Sequence, residues 1–402
     1  MLSNHSCLAK YSLLLSVTIL LSFEISAQKK GISSRTEIGE GIKFTARDKS
    51  YDVHLYGWGQ TIAHTEFPIK SNLNLQELEY GLGVTHARTG LRGYLIQPEL
   101  LFHFQMEFVN SGDQIRNDIQ GIQFNGLLDA FIEWNIYKGF NFSAGQRFVP
   151  GTRASTTPIR NLQFAGRSTF DAFSGFTRDA GLFVWYDFES NGALIRTIGA
   201  VTQGEGANVQ VNSGGLAYTA RADWFPFGEF TDNGQLTQGD LEKERAPKLQ
   251  LGGGVEFNDN SVRENGHLGD LVMVERDILT YFADVLFKYQ GFAFQADFVD
   301  KEVDIPVVYD TLFNTIGIFN SGMAFGGSGS YMLADDISLA IRYHRLMPTP
   351  VTKRITSDNY GIALSKYFAG HNVKVQTDIA LQVLDNDTDP NFQWQLLMSF
   401  GF

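Results

Sequence analysis

Cysteine is nearly missing from this chain: the single one, Cys7, stands ahead of an apolar run at the extreme N-terminus. That excludes a disulfide framework and any Cys-based metal site from the body of the protein. Proline is scarce, at 10 residues, and mostly falls in candidate turns such as Gln97-Pro98 and Phe225-Pro226. Charged residues make up only 19%, and the net charge of −12 argues against nucleic acid as a partner. Beyond residue 27 no segment reaches the roughly 18 consecutive apolar residues that a membrane-spanning helix needs.

Aromatic residues and glycine, by contrast, are plentiful, with 33 Phe, 15 Tyr and 41 Gly. Mean hydropathy is −0.12, close to neutral. A chain whose alternate residues face an apolar medium averages out in this way. At the N-terminus, Lys10 precedes the apolar run Leu13 to Phe23, and Ile25-Ser26-Ala27 offers small residues for cleavage. Residues 1–27 therefore read as a secretory signal peptide, and Cys7 leaves with it.

The C-terminus carries the clearest pattern. Phe392, Trp394, Leu396, Met398, Phe400 and Phe402 fall on one side of an extended strand, and Gln393, Gln395, Ser399 and Gly401 on the other. Leu397 is the one apolar residue on the polar side. Period-two alternation means one dry face and one wet face. An aromatic final residue in such a strand is how outer-membrane barrels present themselves to their assembly machinery, so Phe402 is assigned that contact. Elsewhere Phe102, Phe104, Met106 and Phe108 oppose His103, Gln105 and Glu107, and Ile132, Trp134 and Ile136 oppose Asp129 and Glu133.

Sixteen such segments follow one another, from 51–63 to 391–402. They predict an all-β fold, a transmembrane antiparallel β-barrel of about 16 strands, wide enough for a water-filled lumen. Links alternate between tight turns (Lys138-Gly139, Ser190-Asn191, Gln290-Gly291) and long loops, among them 110–125, 148–177, 258–277 and 302–319. Segment 226–246 breaks the rule, being long where a short turn is due. The expected layout is a signal peptide (1–27), a periplasmic segment (28–50) in which Lys43 to Thr45 pair with the first strand, and the barrel (51–402).

The loop after the fifth strand reverses the sign of its surroundings. Arg147, Arg153, Arg160, Arg167 and Arg178 lie in it or at its ends, with Asp171 the only acid and no lysine. Folded inward as a constriction, it would line the pore with guanidinium groups that favour anions. Alternatively the arginines pin the loop to lumen carboxylates, for which Glu107, Asp129 and Glu133 are available. Arg88 and Arg92 share the inner face of the second strand, and Arg221, Arg342 and His344 also fall inward.

Arg88-Thr-Gly-Leu-Arg-Gly-Tyr-Leu95, Leu127-Leu-Asp-Ala-Phe-Ile-Glu-Trp134, Ala144-Gly-Gln-Arg-Phe-Val-Pro-Gly151, Leu162-Gln-Phe-Ala-Gly-Arg-Ser168 and Arg178-Asp-Ala-Gly-Leu-Phe183 come in an order that resembles the phosphate-selective porin O and P family. The N-terminal stretch Gly41 to Gly57 shares the likeness. The resemblance implies a homotrimeric outer-membrane porin of a Gram-negative bacterium, with an arginine path and central lysines that select phosphate or polyphosphate. This chain departs from it in its acidic balance and in a constriction loop without lysine.

The expected function is passive diffusion of small hydrophilic, anionic or polar solutes across the outer membrane, with lipid around the barrel and no cofactor, metal or chemistry. A substrate-specific channel for a sugar or peptide remains the alternative. A hydrolase within the barrel is disfavoured, because none of the seven mature histidines, among them His54, His103 and His344, sits in a nucleophile motif.

Overall fold

The computed structural model describes residues 32–37, 41–70, 78–109, 126–386 and 389–402. The signal-peptide assignment and the loop 110–125 lie outside the described residues. No helix among the described residues is long and apolar enough to cross a membrane.

In chain order the strands are β1 (Ile32–Glu37), β2 (Gly41–Ala46), β3 (Tyr51–Pro68), β4 (Glu79–Leu95), β5 (Leu100–Glu107), β6 (Leu127–Tyr137) and β7 (Phe140–Phe148). After two short helices, α1 (Arg153–Thr156) and α2 (Thr169–Ser174), come β8 (Arg178–Ser190), β9 (Ala193–Thr202), β10 (Ala217–Phe225), β11 (Lys248–Asn265), β12 (Leu268–Tyr289) and β13 (Phe292–Glu302). The chain ends with β14 (Val307–Tyr309), β15 (Thr315–Ile318), β16 (Gly322–Met332), β17 (Ile337–Pro348), β18 (Ser357–Ala369), β19 (Val373–Leu384) and β20 (Asn391–Gly401). The main sheet holds 18 strands. β1 and β2 form an appended hairpin, and the remaining sixteen close into an antiparallel barrel when β20 pairs with β3.

Alternation produces this wall. In β13, Phe292, Phe294 and Phe298 point outward while Ala293, Gln295, Asp297, Val299 and Lys301 are buried inside. β20 does the same: Phe400 is 60% exposed, and the apolar intruder Leu397 faces the lumen at 1%. Closing the ring removes the unpaired edges that an open sheet of this size would present. At the short-turn end, Asn191-Gly192 and Gln290-Gly291 carry positive φ at both central positions, as a two-residue hairpin of this twist requires.

The seam is extended by the N-terminal hairpin. β2 pairs Ile42 with Leu55 and Thr45 with Asp52, on the edge of β3 that β20 leaves free. Phe402 exchanges both backbone hydrogen bonds with Gly57, directly above that junction.

Two expected loops contain strands. Residues 258–277 are not a loop: β11 and β12 run on to a turn at Gly266-His267, with register shifts between Asn258, Ser261, Arg263 and Asn265. Those bulges break the period-two pattern, which hid the strands in the sequence. Within 302–319, β14 and β15 form a small separate hairpin.

Candidate functional site

The lumen is narrowed by segments that enter from both ends. From the long-loop end, residues 149–177 cross to the far wall. Thr152 caps α1, and the free amides of its first turn reach strand carboxylates: Arg153 N donates to Asp284 Oδ2 (3.2 Å) and Ala154 N to Asp297 Oδ1 (3.0 Å). Helix termini leave such donors open, and a carboxylate is their natural partner. Farther along, Ala165 N donates to Asp378 (2.7 Å), and Lys374 Nζ and Gln376 Nε2 both donate to Leu162 O (2.9 and 3.1 Å). Ile159 and Leu162 then pack on Trp58. Lys301 caps the other end of the loop, donating to the Phe173 and Ser174 carbonyls where α2 stops at Gly175.

From the short-turn end comes 226–246, the segment too long for its place. Phe230 packs with the inward side chains Leu194, Phe225 and Leu286. Lys288 Nζ donates to Gly234 O (2.8 Å), Thr237 Oγ1 (2.6 Å) and Gly239 O (2.5 Å), drawing the segment inward. There it meets the constriction loop: Arg153 Nη2 donates to Thr237 O (2.9 Å), Asn161 Nδ2 to Leu236 O (3.0 Å), and Gln163 N to Gln238 Oε1 (2.9 Å).

Open space remains beside the β3–β11 wall, in two cavities. The first, of about 360 Å³, is lined by Arg88, Arg92, Arg147, Arg160 and Arg178 with Tyr56, Trp58, His103, Phe131 and, among the described residues, a single acid, Asp129. The second, of about 470 Å³, is lined by Arg147, Arg153, Arg196 and Arg221 with Phe148, Phe183, Trp185 and Phe225. Arg147, Phe148 and Leu236 belong to both.

The individual arginines differ in what they are free to do. Arg178 grips Asp129 with two donors (2.8 and 3.1 Å), and Arg147 reaches Glu133 (3.2 Å). Glu107 serves Arg88 (2.6 Å) and His86 (2.9 Å), both on the wall, so it holds no loop arginine. Arg153 spends donors on Gln250 and Thr237, and burial pushes its guanidinium down to about 10. Arg167 braces the loop from within, donating to the carbonyls of Ala154 and Thr157 and lying 3.5 Å from Asp171. Arg221 is locked between Asp223 and Asp284. Arg342 donates to Gly166 O and lies over Phe164, and His344 stacks on Phe170, so both support the loop.

Arg92 and Arg160 have no ion pair among the described residues. Arg92 lies over Tyr56 (5.4 Å) and Arg160 over Trp58 (6.0 Å). Burial, and then the Arg92 charge, hold Arg160 below the usual guanidinium range. Of five guanidiniums on the first cavity, three are matched by Glu107, Glu133 and Asp129, which leaves two in surplus.

Sequence reasoning missed two features. Lys288 and Lys301 are buried lysines of this lumen, placed by the wall and not by the loop and held against carbonyls. So is Lys374, which alternation with Val373 and Val375 sets on the wet face. Alternation alone puts all three lysines on the inner face. Phe131, Phe183 and Trp185 also face inward, around Arg147.

Neither a family model nor a curated protein sequence matches the chain. Solved structures of similar fold include OmpF of Salmonella typhi in complex with daunomycin (TM-score 0.54, 12% identity, covering 88% of this chain and 98% of that one). The outer membrane channel DcaP of Acinetobacter baumannii is similar over 89% and 99% (TM-score 0.53, 12% identity). A loop L8 deletion form of OmpT, an outer membrane protein of Vibrio cholerae, is similar over 87% and 99% (TM-score 0.50, 14% identity). These likenesses are to outer-membrane barrels, and at such identities they establish the fold.

Proposed function

We propose that this protein is a passive outer-membrane diffusion channel with a preference for anions, and that it performs no chemistry. The reading rests on one observation: Arg92 and Arg160 face an open lumen cavity with no carboxylate among the described residues to neutralise them. In a confined space of low dielectric, two uncompensated guanidiniums raise the local concentration of anions and repel cations. The paired arginines beside them are fixed in position and present their remaining N–H groups as weaker successive contacts. Conduction needs such weak sites, because one tight site would trap its ion.

Phosphate or polyphosphate is the finer form of the proposal, supported by the resemblance and by the fork geometry of arginine. Assembly as a homotrimer, folded through the Phe402 strand, belongs to the same proposal. The test is the reversal potential of the refolded protein in a planar bilayer under a KCl gradient, repeated with phosphate. Reversal toward the chloride potential, with phosphate reducing chloride current, supports it. Reversal toward the potassium potential overturns anion preference, and indifference to phosphate removes the finer claim.

A further inference from the structure

A water-filled lumen has little use for large apolar side chains, yet this one gathers them where its arginines are densest. Arg147 is surrounded by three inward rings, at 4.4 Å from Phe131, 5.1 Å from Trp185 and 5.5 Å from Phe183. Phe148 continues the group, with Arg178 only 3.9 Å above its ring. Leu236 belongs to no buried apolar cluster among the described residues, and it is 46% exposed where the two cavities meet. A small hydrated anion gains nothing by passing these surfaces. An anion with a flat apolar body gains at each of them, because rings and methyl groups come out of water together.

The geometry suits such a solute. Rings cover the faces of the Arg147 guanidinium, and Glu133 takes one edge, so the remaining edge is its polar contact. A carboxylate meeting that edge would lay its own ring against Trp185, Phe148 or Leu236, in a cavity of about 470 Å³. Sites that bind small organic molecules combine the same elements, an apolar lining with a few fixed polar groups.

We infer that the Arg147 junction is a transit site for organic anions bearing a flat apolar group, arylcarboxylates being the simplest. The inference rests on the anion-channel reading and narrows its solute class. The test compares benzoate with acetate, of equal charge, as blockers of chloride current through the refolded protein. Benzoate is expected to block at a concentration about tenfold lower, the effect of one ring leaving water for an apolar contact. The ratio should fall toward one in Leu236→Asn, an exposed position, and in Trp185→Leu. Equal blocking by the two acids in the wild type overturns the inference and assigns the rings to bracing Arg147, while chloride-side reversal keeps the anion reading intact. Cation-side reversal overturns that reading itself, whichever acid blocks better.

Discussion

Asp284 accepts the backbone amide of Arg153 at 3.2 Å while Arg221 holds the same carboxylate through two donors, at 2.6 and 2.8 Å. One wall residue thus ties the constriction loop to a two-donor ion pair of the barrel wall. Without Asp284, Arg221 keeps Asp223 but loses two charge-assisted hydrogen bonds, and the Arg153 amide loses its acceptor, at a cost of about 1.5–3 kcal/mol. Asp284→Ala is therefore expected to lower the urea midpoint of the refolded barrel and to expose the Arg153 and Arg160 peptide bonds to trypsin. Wild-type resistance to trypsin in that variant would show that Asp297 and the Leu162 contacts hold the loop unaided.

The opposing segment has its own anchor. Lys288 is buried, and its three acceptors at residues 234, 237 and 239 are all backbone or hydroxyl groups of the inserted segment. Lys288→Met keeps the stem and removes the three donors, which frees the tip that carries Leu236. Single-channel conductance is expected to rise, by about half or more if the two chambers merge as a wider water path. Unchanged conductance would place the limiting constriction elsewhere, within 149–177 alone.

The barrel was legible because a wall with lipid on one side and water on the other imposes period-two alternation on every strand. β13 and β20 show it residue by residue. The constriction loop was legible by its sign reversal, and the pairing of Arg178 with Asp129 and of Arg147 with Glu133 follows from inward carboxylates one or two strands away. What stayed hidden lacks a period. Phe131 shares the inward parity of Asp129 and Glu133, but it lies between Ala130 and Ile132, as Trp185 lies between Val184 and Tyr186. Such apolar runs carry no alternation to mark a ring as inward. The inward path of 226–246 depends on Lys288 and on Phe230 meeting Leu194 and Leu286, contacts far apart in sequence that no local pattern announces.

His267, in the turn beyond β11, sits between Asp179 (3.1 Å) and Glu256 (3.0 Å). Burial opposes its charge, but the Glu256 and Asp179 carboxylates outweigh burial and push it up to about 10. A histidine raised in the folded state binds its proton more tightly there than in the unfolded chain. Its contribution is therefore complete below about 6.5, its unfolded value, and is lost as pH climbs toward about 10. Urea midpoints at pH 6 and pH 9.5 should differ more in the wild type than in His267→Gln. Equal pH sensitivity in the two proteins would mean that other groups govern the alkaline loss.

The five arginines of the constriction loop should separate sharply by function, because their donors are differently engaged. Arg160 has no acid partner among the described residues and faces the cavity shared with Arg92, whereas Arg167 spends its donors on the Ala154 and Thr157 carbonyls. Replacing Arg160 by Gln removes a charge from the path and breaks no ion pair. Replacing Arg167 by Gln removes a brace and leaves the path's charge in place. Arg160→Gln and Arg92→Gln should each cut the chloride-to-potassium permeability ratio by about two- to fivefold, as expected when one of two unscreened charges within a Debye length of the ion is lost. The double variant should approach non-selectivity. Arg167→Gln should lower the unfolding midpoint while leaving the permeability ratio within error. If Arg167→Gln shifts selectivity as much as Arg160→Gln, the loop's net charge controls the pore, and the surplus pair has no special standing.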